Sequence, residues 1–491
     1  MKKLLTIVLV LLACVSFAQS NYHTPYDPGA ARNTLSNVTP ATGRAALGLG
    51  TMAVATSTDY VATSSLAERL DTTNASISNN LDVAGDVGAA KVSAAAYDTE
   101  DGDLLDMMAM INGYNPKRWG IRITKAETDP ATRVTYLYDA VGMTPVTMDF
   151  ASNTINYGDW KPFCDAMNRP VMLNPDGSVA YELDPNDQTK KLDGTASGIS
   201  STTHSLNAMS EFKRLWLRTY EDATYQYIIF SNVQYDENYH ANAFTAADGT
   251  IRDRMYYAMF EGSNVSSKLR SLATGAVMAN QTAATEITYA EANGAGWHIN
   301  YKSQRDFITY LLALISKSTN SQAVFGQGNS NSEAYIAPGA LKDKGRFWGD
   351  DATDAAVKVF FIEHFWGNHW KRLSGLLYND AAKILIKATP PYSLTGVGYT
   401  NTDVTITGTT GQYITAGTLT DAGFLPTTAG GSDSTYFADA LYYLTPAAGV
   451  FNVALVGGHR DTAGKCGSWT CNLYSAGVAS PSLGASLSFL K

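Results

Sequence analysis

Ile362-Glu-His-Phe-Trp-Gly-Asn-His-Trp370, continuing to Gly375-Leu376, is the stretch on which the fold turns. Trp366 and Trp370 flank Gly367-Asn368, which reads as a tight turn held between core aromatics. The asparagine side chain suits such a turn because it can satisfy backbone groups. A second anchor follows in Ala454-Leu-Val-Gly-Gly-His459, then Ala463-Gly464, then Ser482-Leu-Gly-Ala-Ser-Leu-Ser-Phe489. Gly457-Gly458 permits backbone angles closed to other residues. Between the glycine pair and the last strand lie His459, Arg460, Asp461, Trp469, Asn472 and Tyr474. A loop slung between two anchors is where ligand contact is expected, so these six are the candidate binding residues.

Working outward, Ser303-Gln-Arg-Asp-Phe-Ile-Thr-Tyr-Leu-Leu-Ala-Leu-Ile-Ser-Lys317 gives the clearest helix. Ser303 with Asp306 forms an acidic variant of the capping box, and Lys317 suits the negative end of the dipole. Phe307, Leu311, Leu314 and Ile315 fall on one apolar face, so a packed scaffold helix is expected. Period-two alternation predicts strands at 119–123 and 134–138, with further strands at 178–183 and 225–230. Asn174-Pro-Asp-Gly177 and Asp184-Pro-Asn-Asp187 read as turns. Residues 357–365 and 383–387 are strand-like. From Ala388 the chain is rich in glycine and threonine, with short strands expected at 402–407 and 451–456.

Charged residues are only 16% of the 491, with serine, threonine, asparagine and 41 glycines in their place. That points to a β- and loop-rich extracellular or virion protein. The formal net charge of −9 leaves no basic footprint for nucleic acid. Besides Cys14 there are Cys164, Cys466 and Cys471, so one is unpaired within the chain. Cys466 and Cys471 either close a small disulfide loop or remain free thiols. His364 and His369 read as packed or surface imidazoles rather than a metal pair. The acidic runs at 98–103 and 184–187 read as solvated turns, so no metal or cofactor is expected.

Upstream, residues 1–20 have the form of an export signal: Lys2 and Lys3, an apolar Leu4 to Ala13, and Ser16-Phe17-Ala18 before Gln19. Lipid attachment at Cys14 competes with ordinary cleavage, but Leu12 is bulkier than a lipobox prefers. An attachment peptide on a virion is the other reading. Residues 21–97 are built of small and hydroxylated side chains around Ala45-Ala46-Leu47-Gly48-Leu49. Such a segment has no core of its own and gains stability only by packing against other chains. A short helix is expected at 101–111, closed by Asn112-Gly113.

Asn33-Thr-Leu-Ser-Asn-Val-Thr-Pro-Ala-Thr-Gly-Arg-Ala-Ala-Leu-Gly-Leu-Gly-Thr51 closely resembles the stalk units of phage tail fibres. The Gly367-Asn368 and Gly457-Gly458 segments, with the terminal strand, resemble the C-type-lectin fold in its formylglycine-generating-enzyme-like branch. That fold also forms the adhesive tips of phage receptor-binding proteins. Residues 119–400 are similar to phage structural proteins of gut bacteria at Asp139–Thr144, Asn168-Arg-Pro170, Tyr181–Asp187, Lys268–Ser271 and Phe365–Asn368. The resemblance implies an α+β, β-rich chain with few helices: a signal-like or attachment segment at 1–20, a fibre stalk and trimerisation region at 21–97, a β-rich neck at 98–230 and a C-type-lectin-like receptor-binding domain at 231–491. It implies a homotrimeric, non-enzymatic tail or head fibre that joins other virion proteins and binds a host surface glycan or protein. Alternatives are a secreted bacterial adhesin of phage descent and a fibre-borne glycan hydrolase. The oxidase branch sets its cysteine pair directly after the Gly-Gly turn, whereas Cys466 lies well beyond Gly458, so thiol catalysis is not expected.

Overall fold

In the computed structural model, residues 116–474 and 477–491 are described. The expectations for the signal at 1–20, the stalk at 21–97 and the helix at 101–111 lie outside the described residues. The described residues belong to one compact unit. The chain is β-rich with few helices, 35% strand against 10% helix, and includes a sheet curled into a half-barrel.

A four-stranded antiparallel sheet runs Val134–Tyr138, Arg118–Thr124, Tyr225–Ser231, Trp216–Glu221. Alternation drives it: Ile121 and Ile123 face the core while Arg122 and Thr124 stay partly exposed. A six-stranded antiparallel sheet runs Trp297–Ile299, Leu487–Phe489, Arg254–Ala258, Asn207–Lys213, Asn168–Leu173, Val179–Glu182. It joins strands from both sides of position 230, where a domain boundary was expected. A nine-stranded sheet uses the C-terminal third, with Lys371–Tyr378, Asn452–Val456, Cys471–Leu473 and Ala440–Tyr443 side by side at its centre.

The Lys302–Ser316 helix is the hub of these three sheets. Phe307 meets Phe212 of the six-stranded sheet, Phe230 of the four-stranded sheet and Phe244, all edge to face. Towards the nine-stranded sheet, Lys302 Nζ donates to the Phe424 carbonyl and Asp306 accepts from the Phe424 N–H. Every residue of the helix is buried, so it has no solvent face. Some of its polar side chains are received by distant backbone groups: Arg305 donates to the Phe365 carbonyl and Thr309 to that of Ser468.

Three expectations need correcting. Tyr301 is the N-cap and no side chain caps the helix, because Asp306 is turned to Lys302 and Phe424 instead. The 357–365 run is a tight hairpin of Lys358–Val359 and Ile362–Glu363, broken where Phe360 and Phe361 take positive φ. Residues 402–407 are not one strand; short strands form at Thr400–Asn401 and Thr407–Gly408.

Candidate functional site

The glycine pair performs the expected task. Gly457 and Gly458 have φ of +86° and +79°, and a Cβ on Gly458 would lie 2.5 Å from Cys466 Sγ. The turn they make lifts His459, Arg460 and Asp461 onto the surface. Three loops are stitched together there by backbone bonds. Ser332 N–H donates to the Arg460 carbonyl at 2.7 Å, and Arg460 N–H to that of Asn368 at 3.0 Å. Asn331 and Asp461 face each other across an antiparallel bridge, and Ser330 and Asn331 N–H both reach the Thr353 carbonyl.

Beneath this face lies a buried polar cluster that sequence reasoning missed. Asn368, with φ of +62°, clips the 329–336 loop: its Oδ1 accepts from Ile336 N–H at 2.8 Å and its Nδ2 donates to the Ile336 carbonyl at 3.0 Å. The same Nδ2 donates to Glu261. Glu261 also meets Lys371 Nζ at 2.9 Å and His369 Nδ1 at 3.2 Å, all of them buried. Burial alone would raise the Glu261 carboxyl, but the Lys371 ammonium and His369 outweigh it and hold the group well below the usual carboxylate range. Burial pushes His364 down to about 4, and Lys371 and His369 add to that.

From this cluster a stack rises to the surface. The His369 ring lies 4.0 Å from that of Tyr335 with planes 9° apart, and the Arg460 guanidinium sits 4.7 Å from the Tyr335 centroid. Arg460 Nη1 also donates to the Ser332 carbonyl at 2.6 Å. Tyr335 stays 38% exposed and Asp461 is exposed beside it. His459 is half-buried, its ring 6.0 Å from Trp370, and burial lowers its pKa first of all.

The other expected residues go elsewhere. Trp469 is a core residue, 6% exposed, packed against Phe424, Phe437 and Tyr310 with its N–H on Asp439. Asn472 sits half-buried in the Cys471–Leu473 strand, opposite Tyr442 and Leu455. Tyr474 is 56% exposed just past that strand, its N–H on Asn472 Oδ1. Cys164, Cys466 and Cys471 are free and buried, and burial pushes all three thiols up to about 12. Among the described residues no three His, Cys, Asp or Glu side chains are grouped to hold a metal.

A small open cleft lies elsewhere, beside the central helix, with Asp306 and Asp421 in its lining. Asp306 is tied to Lys302 and the Phe424 N–H, which leaves no free carboxylate pair in that groove. No protein-family model matches the sequence, and neither does any curated protein.

Proposed function

We propose that the chain is a non-enzymatic fibre protein of a phage particle, and that its His459–Asp461 face binds a receptor on the host surface. The observation that carries this reading is the stitched loop face. Three loops from distant parts of the sequence are fixed to one another by backbone bonds and clamped from below by Asn368 and Glu261. Such rigidity suits recognition, since little ordering entropy remains to be lost on binding. In the same reading residues 21–97 form a trimeric stalk, and the tip is a C-type-lectin-like frame with variable loops. The export-like start of the chain favours a second reading, a bacterial surface adhesin of phage descent.

Purified particles separate the two. Mass spectrometry of particles should find this chain, and free full-length protein should compete with particles for host cells. Recovery only from host envelopes would establish the adhesin and overturn the fibre.

A further inference from the structure

The outer face of the four-stranded sheet carries a second constellation, distant in sequence from the receptor loops. Arg118 and Arg122 alternate on the Arg118–Thr124 strand and point away from Ile121 and Ile123. The Arg118 guanidinium lies 4.3 Å from the ring centroid of Tyr138 and 4.4 Å from that of Tyr235. Arg122 lies 4.7 Å from Tyr225, and its cross-strand neighbour Tyr227 stacks on Tyr220 at 4.4 Å with planes 7° apart. Tyr138 is 44% exposed, and Arg118, Arg122, Tyr225 and Tyr227 are half-exposed.

Neither arginine has a carboxylate within ion-pair distance among the described residues. The nearby acids are engaged otherwise: Asp139 holds Lys117, Asp236 holds Arg218, Glu221 holds Lys125, and Asp222 accepts from Tyr227. Arg122 Nε is buried without a hydrogen-bond partner. On a chain of net charge −9, two guanidinia in one row without a carboxylate partner among the described residues are a local exception to the overall field, although Arg118 is also hydrogen-bonded to Tyr239. A guanidinium backed by a tyrosine ring keeps its planar edge for a planar, bidentate anion, which a carboxylate matches. Tyrosine rings beside it offer flat, amphipathic area at low entropy cost, suited to a sugar ring.

We infer that this sheet face is a binding site for a carboxylated polysaccharide, with Arg122 and Arg118 taking carboxylates on separate, non-adjacent sugar units and the tyrosines supporting the sugar rings. The backbone positions of Arg118 and Arg122 are about 13 Å apart along the strand, a span longer than one sugar unit, so the ligand is a polymer rather than a single acid. The site is separate from the receptor loops and does not depend on them.

The test measures binding of full-length protein to a polyuronate, a neutral dextran and a polyphosphate by calorimetry. The polyuronate should bind, more weakly as salt rises, and the dextran should not. Arg122→Ala should weaken polyuronate binding about tenfold, and Arg122→Lys, which keeps the charge without the fork, should recover only part. Thermal unfolding of both variants should match the parent. An Asp461→Ala variant should bind polyuronate like the parent, which separates this site from the receptor reading. No binding to polyuronate, equal binding of polyphosphate, or an Arg122→Ala variant that changes only the oligomeric state would each overturn the inference.

Discussion

The two exposed faces use the same side chains in opposite ways. On the loop face, Arg460 and Tyr335 are spent on the fold: they stack on each other and on His369, which leans on Glu261. On the sheet face, Arg118 and Arg122 also lie against tyrosines, but among the described residues neither guanidinium forms an ion pair. A loop has no ladder to fix it, so its aromatics and charges supply the rigidity. A strand is already fixed by its neighbours, so its outward side chains stay available. Asp461 and the exposed edge of Tyr335 are what the loop face has left to offer.

That contrast can be broken at several depths. Trp469→Ala should cost about 3–5 kcal/mol, the loss expected for a core tryptophan, read as a fall in denaturant midpoint. A near-neutral result would return Trp469 to the surface. Glu261→Ala strands the buried Lys371 ammonium and should cost a similar about 3–5 kcal/mol. A loss under about 1 kcal/mol would mean that the cluster beneath the loops is solvated.

Acid should act through His364. Its folded pKa of about 4 lies below the unfolded value near 6.5, so the unfolded chain binds the extra proton between those limits. The His364 contribution therefore falls as pH drops from about 6.5 to about 4, by on the order of 3 kcal/mol, while Glu286 and Glu363, which burial raises to about 7, contribute in the opposite direction over the same window. His364→Leu should shift the slope of melting temperature across that window towards greater stability in acid, relative to the parent, and an unchanged slope would rule out a His364 contribution.

Gly458→Ala forces a Cβ onto a backbone at φ of +79° and against Cys466, and should cost about 1–3 kcal/mol. It should also weaken receptor binding, because the turn sets where His459–Asp461 stand. Full stability with intact binding would show that the turn is not what positions the loop.

The parts of this architecture that were legible are those governed by local rules. Alternation located the strands around Ile121 and Tyr136, and periodicity located the central helix. The glycine pair announced its positive φ, and Asn368 its backbone clip. What was not legible depends on partners far away in the chain. Trp469 reads as an exposed loop aromatic until Phe424, Phe437 and Tyr310 close over it. Arg305 and Thr309 read as a polar helix face until the Phe365 and Ser468 carbonyls meet them. Tyr335 and Glu261 carry no local signal; their roles exist only once the 329–336 loop lies against Asn368 and His369. The expected loop of 459–474 was therefore half scaffold, and removing it whole would delete the Cys471–Leu473 strand from the middle of a sheet.

The most direct test of receptor binding leaves that scaffold intact. Asp461→Ala changes an exposed side chain and should move stability by no more than about 0.5 kcal/mol. Adsorption of labelled full-length protein to host cells is to be compared for the parent, Asp461→Ala, and Asp461→Ala combined with Tyr335→Ala. The expected result is adsorption falling stepwise across the three while melting temperature barely moves for the first variant. Undiminished adsorption by the double variant would contradict the account and place the receptor site outside the His459–Asp461 face.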